Sequence, residues 1–184
     1  MPLFGQSILL TVNKIDNGFA MEVGINKKLP IWYHPIYTNG IHPEARFPRE
    51  RYVSLINRLT NSSVSEKFEI NEPTKATREQ LIIGHDQRYV DNFLAGRLTE
   101  KETKRIGLTP WTEDIIPRTL HLMGGAIAAL DHVVEFSGIA GNMAGGTHHA
   151  HYDFGSGYCI FNDLAVCALT VSYTHLRAHE TIAD

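Results

Sequence analysis

Residues 139–171 read IAGNMAGGTHHAHYDFGSGYCIFNDLAVCALTV, and the order of segments in them sets the fold class. Residues 139–144 are a short apolar run of strand length. Gly145 and Gly146 end it, and the loop Thr147-His148-His149-Ala150-His151 follows at once. A glycine-rich linker, DFGSG, leads into residues 158–171, whose apolar run predicts a helix. A strand, a tight loop and a helix in that order form one unit of an α/β protein with a parallel sheet. Loops at the carboxyl ends of such strands are where function gathers, because loop tips and helix N-termini converge there. The paired imidazoles of His148 and His149 stand at that address.

Working back along the chain, Ile116, Leu120, Met123, Ile127, Leu130 and Val134 step by three and four residues and predict a long helix with one continuous apolar stripe, with Thr112 as its cap. Thr77 followed by Gln80 predicts a capped helix start, and a further short helix is expected over residues 89–98. Tyr52, Leu55, Ile56 and Leu59 give another helix with one buried face, ended by Asn61-Ser62-Ser63. Residues 30–34 and 64–70 predict two strands. The first 28 residues read as a separate N-terminal extension. Their apolar stretch SILLTV is too short to span a bilayer, and no basic region precedes it.

The 184-residue chain suits a single domain with a sizeable core. A net charge of −3 and the lack of any Lys/Arg block argue against nucleic acid as a direct partner. Two cysteines, Cys159 and Cys167, lack the spacing of a zinc knuckle or a disulfide scaffold. They read as small buried hydrophobes of a cytoplasmic protein.

What chemistry suits the pair? On an extended strand, His148 and His149 would point to opposite faces; on a glycine-hinged turn both can face one cavity. As metal ligands, His148, His149 and His151 crowd three donors into four residues, which strains coordination geometry. General acid/base chemistry fits better, since neighbouring imidazoles with different partners can hold different protonation states.

The stretch GGTHHAHYDFGSGYCIFNDLAVCA resembles the tandem-histidine segment of the zinc-dependent histone deacetylase family, whose pattern runs Gly-Gly-x-His-His-Ala, then Gly, an aromatic, Cys, two further residues and Asn-Asp. WYHPIY, IHPEARFPRERY and IIGHDQRYVDNFLAGRL resemble the opening strand, entrance segment and first helices of its bacterial members. The resemblance covers residues 29–169 and implies a three-layer arginase/deacetylase-like fold. It implies His149 as the general base that deprotonates a zinc-bound water and protonates the leaving amine, with His148 as its electrostatic partner. Gly146, Gly157 and Tyr158 would line the acyl-lysine channel, Tyr158 standing where Phe is commoner. Asn162 and Asp163 read as structural residues in the first turns of the helix, where an acidic side chain favours the macrodipole. The implied substrate is acetylated lysine or another acyl-amine.

The family's zinc ligands, in an Asp-x-Asp-x-His motif on the next strand, do not occur in this sequence. Residues 170–184 depart from the pattern and read as a foreign tail, in which His175 and His179 fail the zinc-protease spacing. The chain is therefore expected to be the inactive N-terminal part of a deacetylase. The alternatives are a non-catalytic, partner-binding remnant and a ureohydrolase; the latter family has Asp beside His where this loop has His-His-Ala.

Overall fold

A computed structural model describes residues 8–12 and 28–172 of the chain. Strand β2 (Leu29–Trp32) pairs in parallel with β3 (Phe68–Asn71) and with β4 (Gly138–Asn142). On the far side of β4 lies β1 (Ile8–Val12), antiparallel, with Ile8 opposite Asn142 and Val12 opposite Gly138. The sheet order is β1-β4-β2-β3. Of the N-terminal extension, this one strand is described; residues 1–7, 13–27 and 173–184, with His175 and His179, lie outside the described residues.

Seven α-helices occur among the described residues: α1 (Ile36–Asn39), α2 (Arg51–Thr60), α3 (Arg78–Leu81), α4 (Gln87–Leu94), α5 (Glu100–Ile106), α6 (Ile115–Phe136) and α7 (Asp163–Val171). None is long and apolar enough to cross a membrane. With three parallel strands and these helices, the chain is the α/β protein that its segment order predicts.

The helix α6 organises the core. The predicted stripe is there, but the helix is buried on nearly every side, with Arg118, Thr119, Leu122, Gly124 and Gly125 also covered. Towards the sheet, Ala129 and Val133 meet Ala140 of β4. Towards α7, Ala126 and Leu130 meet Cys167. Its glycine pair permits two close approaches: a Cβ on Gly124 would stand 1.8 Å from the Thr74 carbonyl oxygen, and one on Gly125 would stand 2.6 Å from Asn142 Oδ1. The Asn142 amide joins three elements, donating to Leu122 O at 2.9 Å and accepting from the Tyr37 hydroxyl at 3.0 Å. It thereby fixes the carboxyl end of β4, from which the histidine loop departs.

Several boundaries differ from expectation, each for a local reason. The last helix begins at Asp163 rather than Tyr158. Gly157 (φ 54°) and Tyr158 (φ 68°) are both left-handed, and Ser156 and Cys159 exchange backbone hydrogen bonds across them. Two positive φ values in a two-residue loop make a primed hairpin turn, which no helix can include. Asn162 then caps α7 by accepting from Ala165 N at 3.0 Å. Thr112 does not cap α6; its hydroxyl donates to Gly40 O, and Asp114 holds the cap position. The strand expected over residues 64–70 is preceded by a 3-10 turn, Ser65–Lys67. Helix α4 starts at Gln87, under an Asp86 cap that accepts from Tyr89 N, and ends before Gly96 at φ 65°.

The outer side of α7 is apolar. Val166 and Cys167 are buried, whereas Leu164 and Leu169 are exposed.

Candidate active site

The loop after β4 owes its shape to Asp163. That carboxylate is fully buried and accepts from Gly146 N and Thr147 N, both at 2.9 Å, and from Leu164 N at 2.9 Å. The bond returns from the other side, since Asp163 N donates to Thr147 Oγ1 at 3.2 Å. Burial pushes its carboxyl above the usual carboxylate range, while the amide donors oppose that shift. Gly146, at φ 70°, makes the turn that lets both amides face one carboxylate.

Beyond this anchor the two imidazoles stand side by side, with ring centroids 4.1 Å apart and planes at 43°. His148 Nδ1–H donates to Gly146 O at 2.9 Å, which leaves Nε2 as the accepting nitrogen of the neutral ring. The His149 ring lies over Gly157, where an added Cβ would stand 3.1 Å from its Cβ and Cγ. Gly157 is thus part of how His149 is held, beyond lining a wall.

A second histidine support lies deeper. His85 is buried and neutral: Nδ1–H donates to Tyr152 O at 3.1 Å, and Nε2 accepts from Asn162 N at 2.8 Å. Burial lowers its pKa. The ring therefore ties the far end of the histidine loop to the start of α7.

Both rings of the pair border one cavity of about 260 Å³, together with Gly145, Gly146, Gly157 and Tyr158. Every residue expected to act or to bind thus lines a common space. Tyr158 packs edge-on against Phe47 at 5.5 Å, and its N–H donates to Ile106 O at 2.7 Å, so ring and backbone are both fixed. His151 faces elsewhere, stacked on Phe154 with centroids 4.3 Å apart, and the Arg105 guanidinium lies over the same Phe154 ring at 4.0 Å. Cys159 borders the cavity but is buried, and burial pushes its thiol up; Cys167 is pushed up to about 12 by burial on α7.

The opposite wall was not legible in the sequence: it consists of Phe47 ahead of α2, Arg51 and Tyr52 in its first turn, and Arg118 and Leu122 on α6. One signal was available. Arg118 stands three residues after Ile115 and four before Leu122, so it shares their buried face.

Among the described residues, no three His, Cys, Asp or Glu side chains come together to hold a metal ion, and no carboxylate lines the cavity. The donor set of the described residues therefore does not fit a zinc cage, and no step below is derived through the ion.

The chain is an α/β protein with tandem histidines on the loop after a parallel strand, and the comparison with known proteins gives it a family. The histone deacetylase domain model matches residues 42–183, so the chain belongs to that family. It is 38% identical over 155 residues to an uncharacterized protein of Picosynechococcus sp., a match covering 84% of this chain and 51% of that one. It is 31% identical over 143 residues to the acetoin utilization protein AcuC of Bacillus subtilis, covering 73% and 37%. The AcuC protein of Staphylococcus aureus (strain MSSA476) is 29% identical over 157 residues, covering 80% and 40%. The chain thus spans about half the length, or less, of these relatives.

Proposed function

We propose that this chain carries the proton-transfer part of an acyl-amine hydrolase site, with acetyl-lysine or a related amide as substrate. The observation that carries the reading is the placement of His148 and His149, 4.1 Å apart on a loop pinned by Asp163, at one cavity. In amide hydrolysis a water oxygen bonds to the acyl carbon, the C–N bond breaks, and a proton passes from the water to the departing nitrogen. The products are a carboxylic acid and an amine. His149 takes that proton and returns it; His148, oriented through Nδ1–H to Gly146 O, stabilises the charge that His149 acquires. Tyr158 and Phe47 supply flat apolar walls for the methylene chain of a lysine-type substrate.

Zinc supplies Lewis-acid chemistry in the intact family. Since the described residues do not fit the ion, the chain on its own is expected to be inactive even with zinc added. Its proposed location is the cytoplasm, a reading supported by two free, buried thiols. The test is an acetyl-lysine peptide assay on two proteins: this chain, and this chain fused to the remaining portion of the Picosynechococcus relative. The chain alone should show no turnover. The fusion should turn over, and His149→Ala should lower its kcat about 100- to 10,000-fold. A fusion whose activity is indifferent to His149 refutes the proton-transfer role.

A further inference from the structure

Two guanidiniums line the wall opposite the histidines, and neither has a carboxylate partner among the described residues. Other arginines are spent differently: Arg78 forms a paired contact with Asp91, and Arg49 meets Glu50 and two carbonyls. Arg118 is only 4% exposed, yet its bonds go to neutral groups, Nε to Tyr37 O at 3.0 Å and Nη2 to the Tyr52 hydroxyl at 3.4 Å. Arg51 Nη2 reaches the same hydroxyl at 2.9 Å, its guanidinium lies over Phe47 and Tyr52, and its Nε is buried without a hydrogen-bond partner. The buried carboxylate of Asp163 is committed to backbone amides.

A buried cation with no counter-charge is costly, and two cations sharing one neutral oxygen repel each other. Aromatic faces hold both in place, so the arrangement is preorganised to receive negative charge. The cavity of about 260 Å³ has the volume of about nine waters at roughly 30 Å³ each, room shared between a methylene chain along Tyr158 and Phe47 and an acyl group reaching Arg51 and Arg118.

We propose that Arg51 and Arg118 form an anion subsite for a carboxylate carried on the acyl chain, so that the site favours amines acylated by a dicarboxylic acid, such as succinyl-lysine, over acetyl-lysine. This rests on the acyl-amine reading above. A carboxylate there makes charge-assisted bonds to a planar fork, the geometry in which arginine outperforms lysine.

Fluorescence anisotropy tests it on the full chain, with one labelled peptide carrying Nε-succinyl-lysine or Nε-acetyl-lysine at constant ionic strength. The succinyl form should bind at least about tenfold tighter, and Arg118→Met should abolish the preference. Should Arg118→Met fail to fold, as read by circular dichroism, Arg51→Gln at the half-buried position should reduce the preference instead. Equal affinity for the two peptides, or a preference unchanged in the folded variant, overturns the proposal. So does free acetate competing as well as free succinate, which would assign the subsite to any small carboxylate, including a released product. Because binding is read without turnover, an active fusion with no succinyl preference sinks the subsite alone. A succinyl preference in a chain whose fusion ignores His149 sinks only the proton-transfer reading.

Discussion

A methyl group added at Gly157 would press on Cβ and Cγ of His149 at 3.1 Å, and the backbone there, at φ 54°, is one that side chains with a Cβ adopt at a cost of roughly 1–2 kcal/mol. Gly157→Ala should therefore lower stability by about 1–2 kcal/mol in urea unfolding and turn the His149 ring away from His148. In the active fusion it should lower kcat while leaving the fold intact by circular dichroism. The pair itself was legible in the sequence, because two glycines before two histidines at the end of an apolar run permit few arrangements. Asp163 was legible only in part. Its place at a helix start was read, but its reach back to Gly146 and Thr147, 17 and 16 residues earlier, depends on how the loop closes. Arg51 and Arg118 were not read as a pair, since nothing local reveals that residues 67 positions apart share the hydroxyl of Tyr52.

Helix α6 shows what an apolar stripe reveals and what it leaves out. The spacing of Ile116 to Val134 predicted its length well, but a stripe says nothing of the small residues that let neighbours approach from other sides. Gly124 is the sharpest case, with the Thr74 carbonyl where a Cβ would go. Gly124→Ala should destabilise the chain by about 3 kcal/mol, at the upper end of ordinary overpacking, even though alanine is the better helix former. Urea unfolding would measure it; a gain in stability would mean that the segment around Thr74 yields readily. Helix α5 went unread although its signals are present. Thr99 and Glu102 form a reciprocal capping box, and Gly107 closes the helix in the left-handed conformation. Its seven residues carry almost no apolar periodicity, so a reading led by hydrophobic spacing passes over it. The premature start assigned to α7 has the opposite cause: the apolar run Tyr158 to Phe161 forms a turn and an extended segment, with Cys159, Ile160 and Phe161 buried and Tyr158 exposed on the turn.

Across the whole molecule, pH couples to the site through groups whose shifts oppose one another, His85 and Asp163 buried and His34 half-buried. Burial lowers the pKa of His85, and likewise that of His34, where His121 adds to the effect. The unfolded chain then binds more protons than the folded one below the ordinary imidazole value of 6.5, so stability falls as pH drops through and below that value. Asp163 works the other way. Its raised carboxyl gains protons in the folded state first, so its contribution grows as pH falls towards 3.8. Urea unfolding at a series of pH values should show a loss of stability on going from pH 7 to pH 5. His85→Gln, which cannot gain a proton, should make that slope shallower, and an unchanged slope would remove His85 from the account. At this scale the fold class and the family were legible because one unit, strand, histidine loop and helix, carries both. The antiparallel β1 was not, since a five-residue strand, Ile8–Val12, carries no local mark of the distant strand it pairs with.

Leu164 and Leu169 have a practical corollary. A helix with greasy side chains on both flanks, one against α6 and one bare, makes the dissolved protein sticky: self-association should set in as the sample is concentrated, and mild detergent should reverse it.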